Sequence, residues 1–245
     1  MAEPRELAAQ VEEGASLPGG TEERFSGYGV MGLPFASGHV LAMRRFPVTS
    51  IGPGYTSIWH RDPDGRWSMY QNVEPRMACP RFFGSALVQS GVRDITMEWP
   101  GPDTLSITIR GHLSWQMSFG SSPAIALMNA IGGLMPDALW RNGLVLKLMA
   151  AVAGPMLGAG RLGLSGLAPN GQRFVANPQR IWSILKATAV LDGVDLGPPG
   201  PLREQAIIGD FWIPQRGIFV IGRSFFEPFD EARHLATTSQ AGEAA

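Results

Sequence analysis

The chain has 245 residues, 44% hydrophobic and 17% charged, with 20 Lys plus Arg against 21 Asp plus Glu for a formal charge of −1. This composition excludes a disordered chain, and no basic stretch exists from which to build a nucleic-acid interface. The length suits one domain with a sizeable core, and a lone cysteine, Cys79, which cannot form an internal disulfide, points to a reducing compartment, the cytoplasm.

Residues 1–24 are acidic, lack the apolar run of a secretory signal, and read as a mobile arm with a short helix over Pro4 to Glu13. From about Gly38 to Phe119 the hydrophobic pattern has period two, the mark of strands. Tyr55 to Arg61 and Arg66 to Val73 flank Asp62-Pro63-Asp64-Gly65, which places Pro second and Gly fourth, as a type I turn prefers. Asp94 to Trp99 and Thr104 to Arg110 form the next pair. In the latter, Leu105, Ile107 and Ile109 alternate with polar residues, and Leu113 to Phe119 repeats this pattern.

The middle of the chain is rich in Ala, Leu and Met, and predicts helices over about Pro123 to Leu134 and Asp137 to Ala153, the second stopped at Gly154-Pro155. Neither reaches the roughly 20 residues needed to span a bilayer. Packing against the sheet is the plain expectation for this insertion; covering a barrel mouth, or peripheral contact with a membrane, are the alternatives. Strands return after Gly171, with Ile181 to Leu191 and an apolar hairpin of Ala206 to Ile213 and Ile218 to Phe226. Residues 235–245 read as a disordered tail.

About eight to ten strands, mostly sequence neighbours, predict a mainly β protein. The expected fold is an antiparallel up-and-down lipocalin-like β-barrel, residues 25–234, with a helical insertion at about 123–158 and room for one small ligand. The stretches WHRDPDGRWSMY, ITMEWPGPDTLSITI and QAIIGDFWIPQRGIFVIG resemble parts of lipocalin-like proteins of the carotenoid-hydratase and AttH type, which usually carry paired barrels in a longer chain. The resemblance implies a hydrophobic ligand such as an isoprenoid or other lipid, and chemistry such as hydration, dehydration or cyclisation.

Several motifs fail on spacing. His60-Arg61-Asp62 opens a kinase catalytic loop only in its letters, because Trp67 stands where the metal-binding Asn belongs. The four histidines show no metal-ligand spacing, Ser165 in LGLSGLAP is not in a nucleophile elbow, and Cys79 reads as buried. No cofactor is expected. Acid–base chemistry in an apolar cavity remains: Glu98 in ITMEWP and Asp210 in IIGDFWIP are carboxylates set among apolar residues, and burial would keep either one neutral. The plain alternative is Glu98 facing water and Asp210 paired with Arg216 or Arg223. His60 is the third catalytic candidate, while Tyr55, Trp59, Tyr70, Trp115, Gln116 and Phe211 would form the ligand wall. Strand alternation puts Tyr55 and Trp59 on one face and His60 on the other. The function expected is binding of a hydrophobic small molecule with acid–base chemistry upon it. A non-catalytic lipid carrier and a membrane-surface or protein-interaction module are the alternatives, and self-association is left open.

Overall fold

The computed structural model describes residues 3–140 and 142–236. Helix α1 (Pro4–Gly14) precedes strands β1 (Glu23–Pro34), β2 (Val40–Thr49), β3 (Tyr55–Arg61) and β4 (Trp67–Gln71). A short helix, α2 (Pro80–Phe83), leads to β5 (Leu87–Val92), β6 (Ile95–Gly101), β7 (Thr104–Ile109) and β8 (Leu113–Gly120). Helices α3 (Pro123–Leu134), α4 (Asp137–Trp140) and α5 (Gly143–Leu157) follow. The chain then forms β9 (Ser165–Leu167), β10 (Arg173–Leu191), β11 (Val194–Asp195), β12 (Ile207–Ile208), β13 (Phe211–Trp212) and β14 (Ile218–Phe226). The protein is mainly β, an antiparallel-rich curled sheet with a helical insertion in mid-chain, as the sequence patterns predict.

The main sheet runs β5-β4-β3-β2-β1-β14-β10-β8-β7-β6, with β9 and β11 alongside β10. Among its pairs only β4 with β5 is parallel, where α2 and its flanking turns cross over. The two outermost strands, β5 and β6, are joined by just Arg93 and Asp94. Ten strands laid flat would hold those edges about 43 Å apart, whereas two linking residues reach about 11 Å. The sheet is therefore bent round on itself. The bend brings Thr56 Oγ1 of β3 to 3.7 Å from Met97 Sδ of β6, strands far apart in the sheet order.

Side chains fill the concave interior. Tyr28, Met43, Ile58 and Tyr70 from one half of the sheet meet Leu105, Ile107, Trp115 and Phe219 from the other in a single buried cluster. Helix α1 packs on the same cluster through Ala8, with Leu7 and Val11 partly buried against it. Glu12 ties the helix to the sheet, accepting from Tyr28 Oη and Arg45 Nε, both at 2.8 Å. Residues 4–14 thus dock on the fold rather than trail from it as an arm. The expected tail, 235–245, lies outside the described residues from 237 onward.

The convex face carries two further clusters. Phe25, Tyr55, Trp59, Phe82 and Phe226 form one under α2 and the 206–213 segment, and Ile125, Ala153, Leu157, Ile181 and Val220 form the other under α3 and α5. Several boundaries differ from those expected. Ala206 to Ile213 is not one strand of a long hairpin but a miniature hairpin, β12 with β13, turning at Gly209-Asp210, where Gly209 has φ +58°. β14 instead lies between β1 and β10. The expected helix 137–153 is split, because Asn142 Oδ1 caps α5 by accepting from Leu144 N at 3.0 Å and Val145 N at 3.2 Å. α5 also passes through Pro155 and ends at Gly158, in left-handed geometry with φ +60°.

Candidate functional site

The cavity lies on the convex face, and glycine makes its floor. On β1, Gly27 and Gly29 alternate with Tyr28 and Val30, which belong to the interior cluster; Gly222 of β14 stands opposite Gly27. A Cβ on Gly29 would sit 2.3 Å from the Met43 carbonyl oxygen, and one on Gly222 would sit 2.1 Å from that of Asn177. Neither position accepts a side chain, so the sheet presents bare backbone there.

Helices α3 and α5 roof this floor and leave a cavity of about 330 Å³. Its walls are mostly apolar, with Met31, Met128, Ala153, Ile181, Phe211 and Val220 among them. Leu127, Ile131, Leu148, Val152 and Met156 line it while being exposed, so its mouth opens between the helices through an apolar rim.

One side chain holds the roof in place. β8 ends at Gly120, opposite Ser183, so β10 has no strand neighbour on that side at Ile181. Asn129 of α3 supplies the missing partner: its Nδ2 donates to the Ile181 carbonyl at 2.9 Å, and its Oδ1 accepts from Ile181 N at 2.8 Å.

The cavity also holds a charge. Arg44 of β2 is 5% exposed, lines the cavity and stands opposite Gly29, whose missing side chain gives its stem a path. A β-bulge between Val30 and Leu33 disrupts the ladder beside it. Arg44 Nη1 donates to the Val30 carbonyl, and to that of Met43 at 2.8 Å; Nη2 reaches the Met31 carbonyl at 3.4 Å. The guanidinium stacks on Trp59 at 4.6 Å and on Phe211 at 5.3 Å. Burial lowers its pKa to about 10, which leaves it protonated at neutral pH. Tyr55 and Cys79 lie beside it, the Tyr55 Oη 3.4 Å from the Cys79 Sγ, and burial raises the pKa of each, so neither is an anion there. Asn177, also buried, lines the cavity with an Oδ1 that has no hydrogen-bond partner among the described residues.

No family model matches the chain, and no curated protein matches it. Two of the solved structures similar to it are as follows. One is acetoacetate decarboxylase from Legionella pneumophila subsp. pneumophila str. Philadelphia 1, at 11% identity and a TM-score of 0.41, covering 93% of this chain and 95% of that one. The other comes from structural studies of acetoacetate decarboxylase, at 12% identity and a TM-score of 0.41, covering 91% and 92%. Likeness at this level assigns no chemistry, and the site is read from its own residues.

The residues expected to form the site are dispersed. Asp210 is exposed at the β12–β13 turn, where its Oδ2 accepts from Leu167 N at 2.8 Å and braces β9; its partner is that amide, not Arg216 or Arg223. Glu98 is exposed on β6, the edge strand, with Met97 and Trp99 turned the other way. Neither carboxylate is buried, which corrects the reading of both as desolvated acids. Trp115 and Tyr70 fill the interior rather than a ligand wall, and Gln116 faces solvent. Tyr55 and Trp59 lie on the convex face, behind and against Arg44. Phe211 alone of the nine lines the cavity.

His60 takes the face opposite Trp59, as expected. There its Nε2 shares a hydrogen bond with His39 Nδ1 at 2.9 Å, the rings stacked 16° apart. Burial lowers its pKa to about 4, with His39 and His112 adding to the effect. His112 pairs with Asp192 at 2.6 Å. Among the described residues, no group of three or more His, Cys, Asp or Glu is placed to hold a metal ion.

Arg44 and the glycine floor were not anticipated, although the sequence carries a signal for the first. In VLAMRRFPV, Val40, Ala42, Arg44 and Phe46 share one strand face, and a lone cation on such a face calls for an explanation.

Proposed function

We propose that this protein binds an apolar small molecule in the cavity between the sheet and α3 with α5, and acts as a carrier of it. The observation that supports this reading is the cavity itself: about 330 Å³, apolar-walled, at the lower end of the size range of ligand sites, and open to the surface through apolar side chains. The resemblance to lipocalin-like proteins favours the same ligand class. Carrier is preferred to acid–base catalyst because none of Asp210, Glu98 and His60 lines the cavity. The lysines, Lys147 and Lys186, are exposed and do not line it, so no desolvated amine nucleophile serves it either.

The rim supports a second, compatible reading, in which ligand enters from a bilayer. Leu134 and Leu144, on α3 and α5, are 86% and 79% exposed, and they extend the apolar surface that leads into the cavity. No helix among the described residues is long and apolar enough to cross a membrane, so contact through these helices would be with its surface.

Native mass spectrometry of the protein purified from its own cells tests the reading. A bound apolar molecule should appear in the wild-type protein and be displaced by the overfilled variant Ala153→Trp. A wild-type protein that carries nothing and also fails to take up 1-decanol would refute it.

A further inference from the structure

We infer that the ligand is an apolar carboxylic acid, and that Arg44 receives its carboxylate. The inference rests on the cavity-binding reading and deepens it. A guanidinium has five N–H donors. Those of Arg44 Nη1 serve the Val30 and Met43 carbonyls, and one of Nη2 serves that of Met31. Among the described residues nothing accepts from Nε, and Nη2, with two hydrogens, makes that one hydrogen bond. Nε–H and the Nη2–H beside it form one edge of a guanidinium, and that edge matches the two oxygens of a carboxylate side-on.

Charge leads to the same answer. Three carbonyls and two aromatic faces solvate Arg44 but do not neutralise it, and among the described residues no carboxylate pairs with it. Its neighbours Tyr55 and Cys79 stay neutral. A buried cation without a counter-ion is expensive to keep, and a cavity on the same face admits an anion from outside. One unit charge is balanced by a carboxylate. The apolar walls then require the rest of the molecule to be hydrocarbon-like, since they offer few other polar groups.

The test compares decanoate with 1-decanol, equal in chain length and different in charge, by isothermal titration calorimetry at neutral pH. Wild-type protein should bind decanoate at least about tenfold more tightly, the size expected of a charge-assisted hydrogen-bonded pair. Arg44→Met should lose that preference while still binding 1-decanol, and Arg44→Lys, which keeps the charge but loses the two-pronged edge, should retain part of it. Equal affinity of the wild type for the two probes would overturn the carboxylate inference and leave the cavity reading standing; because this comparison uses the wild type alone, it survives any folding defect in the variants. Binding of neither probe would overturn both.

Discussion

Replacing Asn129 with Ala should detach the roof of the cavity. The side chain makes a pair of hydrogen bonds to Ile181, at 2.8 and 2.9 Å, where β8 has run out and nothing else in the sheet can serve that backbone. Alanine leaves one N–H and one carbonyl without partners in a buried position, at about 1–3 kcal/mol for each. Water from the adjoining cavity relieves part of this, so the loss should be about 2–3 kcal/mol. For a chain of this size that corresponds to a fall in Tm of about 5–10 °C if α3 unfolds together with the sheet. Thermal melts give the total, and hydrogen exchange at the Ile181 amide locates it. A variant within about 0.5 kcal/mol of wild type, with that amide equally protected, would show that α3 is held by its apolar contacts alone.

Three further outcomes are expected. Stability should fall as pH drops from about 6.5 to about 4: His60 is held neutral in the fold down to about 4, while in the unfolded chain it takes up a proton near 6.5, so protons favour the unfolded state across that window. His60→Gln should flatten that part of the pH profile in urea titrations, and an unchanged slope would count against the assignment. Asp210→Asn and Glu98→Gln should leave 1-decanol affinity within about twofold, since both residues are exposed and neither lines the cavity; a loss beyond about tenfold would return one of them to the site. The double variant Leu134→Ser/Leu144→Ser should keep its Tm and lose most of its co-sedimentation with phosphatidylcholine vesicles, whereas undiminished sedimentation would remove the bilayer as a source of ligand.

Local patterning was the most legible part of the chain. β3 runs over the expected Tyr55 to Arg61 and α3 over Pro123 to Leu134, because each has a clean period and a definite start, the latter where Ser122 Oγ accepts from Ile125 N at 3.3 Å. Alternation also separated Trp59 from His60 correctly. What it cannot supply is which face of a curled sheet is the inside. Alternation therefore points Trp115 and Tyr70 at a ligand wall, whereas they fill the interior, and the cavity lies on the convex side, where Gly27, Gly29 and Gly222 have no side chains to register in a hydrophobic pattern. Asp210 departs from expectation for a different reason. In IIGDFW the apolar neighbours suggest one continuous strand, but Gly-Asp is itself a turn signal, and it breaks the run into two short arms. Glu98 could have been placed from its own strand, since Ile95, Met97 and Trp99 already claim the other face.

The order of strands has a mechanical consequence. Where the chain has its two ends the sheet is sealed, since β1 and β14 are neighbours and Glu23 stands opposite Phe226 on the same rung. Where the sheet is open, between β5 and β6, the chain is continuous. A pull on the two ends, once α1 and the segment 227–235 after β14 have peeled away, therefore meets the β1–β14 ladder end-on and parts it one rung at a time, like a zipper. The seam at Arg93 and Asp94 carries no load until the barrel is already undone.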